Sequence, residues 1–520
     1  MYPTSLEEKI GQMLVVGFHG YEAPEYLLKW LAEGRIGGVI LFGRNIQNPP
    51  QVAKMTQAFH QAAKYPLLIC IDQEGGTVAR LRDGFTESPG AMALGVADSE
   101  SLAEDVSAML ATELRALGIN WNLAPVVDIT HDISNPSVGT RSLGRDRARV
   151  AQMAAAEVRG FQKAHVAASA KHFPGLGNTA VDTHLALAVI DGSLDYLWEH
   201  DLVPFRAVVD TGTATVMISH VKFTELDPEY PATLSPRIIQ NLLRQEIGFA
   251  GVACTDCMEM KAIADHYGSG ESAILAALAG IDLILFSHSF TDQHPLSVEV
   301  YYSLLEAVQS GRLPMQQIDE AVARVMALKE KYAIVGDPQL DLIRTPDHLE
   351  LAQRAARAGL MLVKTQTDIF PLRDGIKAGV VEFASIIDSE IMEQGGLSGF
   401  ITLLHQQTPH IPSISLRPMD YRPEDLARAR EIATQSEVLI LASRNAHLIP
   451  AQLEVARELL GLAKGSILMA LRNPYDAQAL GEADSILCTC GDSKPSLSAG
   501  VEALLGVISI EKRPAVWGEG

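Results

Sequence analysis

Short runs of β-branched and aliphatic residues alternate along the chain with longer segments whose apolar positions recur at helical spacing, the pattern of parallel strands joined by helices. Up to about residue 290 the runs are Gln12–Phe18, Gly37–Phe42, Leu67–Asp72, Asn122–Val127, Ala167–His172, Thr215–His220, Val252–Asp256 and Asp282–Ser287. Segments such as Ser101–Leu117 and Gln152–Ala164 carry Ala and Leu on one face and charged or amide side chains on the other, so they read as helices packed on a sheet. Eight such units predict an α/β fold whose N-terminal part is a (β/α)8 TIM barrel, a fold that needs about 250 residues. A doubly wound open sheet is the competing arrangement.

A further helix, Leu313–Lys331, is followed by a polar stretch with Gly336, Asp337 and Pro338 and then by a new helical segment, His348–Ala358. This places a boundary at residue 345, with a barrel domain over 1–345 and a second domain over 346–520. In the second part the runs Ala378–Phe383, Ser413–Leu416, Val438–Ser443, Ser466–Leu471 and Ser485–Thr489 predict a smaller α/β sandwich, and no glycine-rich phosphate loop follows any of them.

Length supports two domains, because 520 residues exceed the roughly 250–300 at which single cores stop growing. A net charge of −21 repels polyanions and argues against nucleic acid as a partner. The N-terminus has no basic start leading into an apolar run, and no stretch reaches the roughly 18 apolar residues of a membrane span, so a soluble cytoplasmic protein without a membrane partner is expected. Five cysteines, an odd number mostly at the ends of apolar runs, suit reduced thiols in that compartment. Cys254-x-x-Cys257 lacks the second ligand pair a structural zinc needs, and neither a metal nor an organic cofactor is implied.

Polar residues gather at the carboxyl ends of the first set of runs, which in a barrel form the catalytic rim. The densest group is Lys171-His172-Phe173-Pro174-Gly175-Leu176-Gly177-Asn178-Thr179, followed by Asp182-Thr183-His184. In an extended loop Asp182 and His184 share a side, so the carboxylate can orient one imidazole nitrogen while the other faces substrate. Asp256 ends an apolar strand, where it either caps a helix or serves chemistry. Asp72, Arg80, Arg141, Lys171, His172 and His220 converge on the same rim if the barrel forms, giving a donor-rich pocket suited to sugar hydroxyls.

At these residues the chain resembles the family 3 glycoside hydrolases over essentially its full length, specifically their bacterial β-N-acetylglucosaminidase branch. The pattern KHFPG-x-G-x-T followed by D-[ST]-H stands here as Lys171 to Thr179 with Asp182-Thr183-His184. The resemblance implies that His184 is the acid/base, Asp182 its partner, and Asp256 of Thr255-Asp256-Cys257-Met258-Glu259-Met260 the nucleophile of a retaining exo-glycosidase. It places sugar binding on Asp72, Arg80, Arg141, Lys171 and His172, and less diagnostically on His220. The small carbohydrate substrate would carry terminal β-linked N-acetylglucosamine, as in the muropeptides of cell-wall recycling or chitooligosaccharides. Leu176, Asn178 and the Cys257-Met258 pair depart from the common pattern without removing a catalytic group. The stretch Leu468 to Asp476 matches the family's second domain, which supplies the acid/base in the glucosidase branch; here the loop histidine would replace it. Phosphorolysis of the same glycosides, β-glucosidase activity and a catalytically idle sugar-binding protein are the alternatives.

Overall fold

The computed structural model describes residues 2–179, 186–287, 295–334, 336–385 and 399–513. Eight of the predicted runs form strands: β1 (Leu14–Val16), β2 (Gly38–Leu41), β3 (Leu68–Ile71), β4 (Trp121–Asn122), β5 (Ala167–Phe173), β6 (Thr215–Ile218), β7 (Val252–Cys257) and β8 (Leu283–Phe286). Each pairs in parallel with its neighbours in chain order, and β1 pairs with β8, closing the barrel. The fourth run, expected over Asn122–Val127, gives the shortest strand of the barrel. Its ladder stops after two residues, where Pro125 brings no N–H, and only Val126 makes an isolated bridge to Lys171 beyond it.

Strand alternation sends one set of side chains inward, among them Val15, Ile40, Leu68, Trp121, Met217 and Leu283, all buried. The Trp121 indole N–H spans this interior to Thr215 Oγ1 at 3.0 Å. The other set packs against the surrounding helices, as Val16, Val39 and Ile69 do. Helix Met315–Tyr332 closes the amino end of the barrel with Val325, Leu328 and Tyr332. Its Lys329, 1% exposed, donates to Gln12 Oε1 there. Burial lowers the Lys329 ammonium to about 7.

Helix Pro346–Ala358, capped by Thr345, leads into a second sheet. The strands are β9 (Met361–Lys364), β10 (Ala378–Phe383), β11 (Ser413–Leu416), β12 (Val438–Ser443), β13 (Ser466–Ala470) and β14 (Ser485–Cys488), in the order β9-β14-β13-β12-β10-β11. All pairs are parallel except β9 with β14. Strand β9 had no counterpart in the sequence reading, because its burial fades from Met361 to an exposed Lys364, as at a sheet edge. Both faces are covered: Leu439 and Leu441 of β12 point to one core and Ile440 and Ala442 to the other. The carboxyl edge of this sheet faces the barrel, with Met92, Ala93 and Val96 of helix Ala91–Ala97 entering the first of those cores. No helix among the described residues is long and apolar enough to cross a membrane.

Candidate active site

The carboxyl ends of the barrel strands enclose a cavity of about 160 Å³ lined by Asp72, Glu74, Arg80, Arg141, Lys171, His172 and Asp256, with Ile40, Phe42, Val78, Leu123, Met217, Met260 and Leu285 as its apolar walls. Six residues singled out from the sequence therefore share one space. Asp182 and His184 lie outside the described residues.

The polar part is one ion cluster. Lys171 lies within β5, all seven residues of which are buried, and its side chain is 2% exposed, so its ammonium needs partners. It has two, Asp72 Oδ1 at 2.7 Å and Glu74 Oε1 at 2.6 Å. Arg141 clamps Glu74 with Nε and one terminal nitrogen, each at 2.8 Å, the paired geometry a planar guanidinium favours. Arg80 stands 3.6 Å from Asp72 Oδ2 and 5.5 Å from the centre of the Phe42 ring. Burial would raise Glu74, yet Arg141 and Lys171 hold it well below the usual carboxylate range. Burial would likewise lower Lys171, but Asp72 and Glu74 hold it above its ordinary value. Glu157, on the helix Arg147–Lys163, is pushed up to about 8 by burial and by the charge of Glu74. Three cations, Arg80, Arg141 and Lys171, and three carboxylates besides Asp256, those of Asp72, Glu74 and Glu259, thus line the cavity.

Glu74 was not among the residues chosen from the sequence. A signal existed: a carboxylate immediately before Gly75 and Gly76, both with positive φ (90° and 58°), where the chain reverses into the hairpin formed by Gln73–Gly75 and Val78–Ala79. Asp128 was missed as well. It follows the fourth apolar run just as Asp256 follows the seventh. Its Oδ2 accepts from His172 Nδ1–H at 2.7 Å and its Oδ1 from the Leu176 N–H at 2.7 Å, so one buried carboxylate fixes both a ring and the loop after it. His172 Nε2 in turn faces an Arg141 nitrogen at 3.3 Å. Since arginine only donates, Nε2 is the acceptor and Nδ1 carries the hydrogen.

Asp256 ends β7 with Oδ1 accepting the Cys257 N–H at 2.7 Å. The Cys257 thiol lies 2.7 Å from Ser287 Oγ, and burial pushes it up to about 12, which makes it a poor nucleophile. His220 is placed differently from the other predicted residues. It does not line the cavity, and its ring nitrogens lie against Thr233 Oγ1 at 2.7 Å and the Cys257 carbonyl at 2.9 Å. It ties the end of β6 to the end of β7 and presents no free edge to a ligand.

Comparison with known proteins bears on this arrangement. Residues 5–328 match the family model described as the glycosyl hydrolase family 3 N terminal domain. A β-hexosaminidase A of Pseudoalteromonas piscicida is 31% identical over 418 residues, covering 72% of this chain and 69% of that protein. A β-hexosaminidase of Stenotrophomonas maltophilia is 39% identical over 284 residues, covering 53% of this chain and 83% of its own. Among solved structures, a glycoside hydrolase family 3 β-N-acetylglucosaminidase from Paenibacillus sp. superposes with a TM-score of 0.92 at 36% identity, covering 98% of each chain. The matched segment spans the barrel and every rim residue described above, and the chain belongs to glycosyl hydrolase family 3.

Proposed function

We propose that this protein is a retaining exo-β-N-acetylglucosaminidase that uses Asp256 as nucleophile and His184, oriented by Asp182, as acid/base. The observation that carries the reading is the position of Asp256, at a strand end in the cavity that Asp72, Arg80, Arg141 and Lys171 also line. The relatives named β-hexosaminidase and β-N-acetylglucosaminidase support the sugar assigned.

In the first step Asp256 attacks the anomeric carbon, the bond to the aglycon oxygen breaks, and that oxygen takes a proton from the His184 imidazolium. In the second, water attacks the glycosyl ester, neutral His184 takes the proton, and the Asp256 carboxylate is restored. Two displacements retain the anomeric configuration. Asp72, Arg80 and Lys171 hold the sugar: the carboxylate, already bonded by Lys171, accepts from hydroxyl groups, while the cations donate and the apolar walls meet the C–H face of the ring. The physiological substrates of this reading are cell-wall fragments or chitooligosaccharides ending in N-acetylglucosamine. Its five unbridged thiols, four of them buried, suit a reducing compartment such as the cytoplasm.

Purified protein incubated with nitrophenyl β-N-acetylglucosaminide is expected to release N-acetylglucosamine, and Asp256→Ala to lose turnover by at least about 10³-fold. Undiminished turnover in Asp256→Ala would remove the nucleophile assignment. A sugar 1-phosphate formed on adding phosphate would replace hydrolysis by phosphorolysis.

A further inference from the structure

Asp201 breaks a local rule. It stands at the N-cap of helix Leu202–Asp210, where an aspartate ordinarily accepts from the first helical N–H groups, yet its side chain makes no cap bond. Its carboxylate, 5% exposed, instead accepts from His131 Nε2 at 2.9 Å. The other ring nitrogen, Nδ1, lies 3.3 Å from the Tyr196 hydroxyl, and the Tyr196 ring stacks on His200 with centroids 4.2 Å apart. A carboxylate can only accept, so Nε2 carries a hydrogen, and Nδ1 is paired with the Tyr196 hydroxyl, which leaves both ring nitrogens used. None of these four residues lines the active-site cavity.

What the pair touches is the loop after β5. The backbone N–H groups of His131 and Asp132 both donate to the Gly177 carbonyl at 3.4 Å. Gly177 lies so close that a Cβ there would come within 1.6 Å of the Ile129 carbonyl oxygen and 3.5 Å of the His131 ring. A Cβ on Gly175 would meet Asp201 at 3.0 Å. Asp201 thus backs one glycine of the loop and His131 the other, on the side away from the pocket, and five residues beyond Thr179 the chain reaches His184.

We propose that the His131–Asp201 pair is a positioning device for the Pro174–Thr179 loop, setting where the acid/base segment meets the leaving-group oxygen. The proposal rests on the assignment of His184 as acid/base. A side chain that helps only to place the proton donor matters in proportion to how badly the leaving group needs a proton. A dinitrophenolate departs without one, whereas an alkyl or sugar alkoxide does not. A displacement of about 1 Å costs about 10²-fold where the proton is needed.

The test compares kcat/KM, which reads the step that expels the leaving group, on 2,4-dinitrophenyl and on alkyl β-N-acetylglucosaminides for wild type, His131→Phe, His131→Gln, Asp201→Leu and His184→Ala, with thermal unfolding of each. His131→Phe and Asp201→Leu are expected to lose about 10- to 100-fold in kcat/KM on the alkyl glycoside and less than about 3-fold on the dinitrophenyl glycoside. His131→Gln, whose Nε2–H can still donate to Asp201, is expected to recover most of the loss. Equal losses on both substrates, or no loss, while His184→Ala shows the leaving-group dependence, would overturn the positioning role alone. Should His184→Ala itself lose equally on both substrates, the acid/base assignment falls and the positioning role with it.

Discussion

At the barrel rim, β3 and the turn after it, with β5, bring Asp72, Glu74 and Lys171 to a cavity of about 160 Å³. At the carboxyl edge of the second sheet, Glu382, Arg444, Asp476 and Asp492 are all buried, and the junction of that edge with the barrel, lined by Asn445, Arg472 and Asn473, leaves only about 20 Å³ open. Both regions bury an arginine against a carboxylate: Arg141 on Glu74 at 2.8 Å, Arg444 on Glu382 at 2.9 Å. Both add a second buried carboxylate that organises a histidine, Asp128 for His172 and Asp476 for His447, each at 2.7 Å. The second edge is capped by the barrel itself, where a Cβ on Gly491 would stand 2.7 Å from the Pro89 carbonyl oxygen. Charge gathered at strand ends is thus common to both sheets, and open volume is what makes one of them a site.

The sharpest way to break this comparison is to remove one cation from each cluster. Lys171→Met should lower turnover of the folded protein by about 10²–10³-fold, because a donor aimed into the cavity is lost. Arg444→Met should instead destabilise the fold by about 3–5 kcal/mol, leaving Glu382 buried without its partner, while kcat/KM per folded molecule stays unchanged. Denaturant titration alongside steady-state kinetics separates the two, and a kinetic defect in folded Arg444→Met would make the second edge part of the site.

A third buried cation sharpens the contrast, since Lys329 has an amide where the other two have carboxylates. Its ammonium titrates at about 7 in the fold against 10.5 unfolded, so between those values the unfolded chain binds more protons. Stability should rise with pH across that window, by up to about 1.4 kcal/mol per unit, and Lys329→Met should flatten the slope. Urea midpoints at several pH values would show it. The smallest expected effect concerns the contact between the regions. The Asn473 amide, bonded to Asn445 Oδ1 at 2.7 Å, backs Gly139 of the loop that carries Arg141, where a Cβ would lie 3.1 Å from it. Asn473→Ala should raise KM several-fold, about 1 kcal/mol, with kcat unchanged.

Much of this was legible before any coordinates. Strand runs and helical spacing are local patterns, and the barrel, its closing helix and five of the six strands of the second sheet follow from them. The rule that polar strand ends carry chemistry led to Asp72, Lys171, His172 and Asp256, and Arg80 and Arg141 were expected on the same rim; all six share one cavity. The same rule also selected His220, whose ring the fold occupies with Thr233 and Cys257, because a strand end tells where a side chain starts and not what it meets.

By itself, then, the sequence determined the two sheets, the rim that bears the polar groups and, through the Lys171–Thr179 and Thr255–Met260 stretches, the family. Only the tertiary structure decided which charges pair, since Lys171 meets Asp72 across 99 positions of chain, and a partner so remote leaves no periodic trace. It alone also decided that Glu74 and Asp128 hold the cluster and the loop in place, and that one of two similar charged edges stays open while the other is packed shut. The reason is physical: hydrophobic spacing encodes how each segment buries its own face, whereas access and charge pairing depend on how separate faces come together.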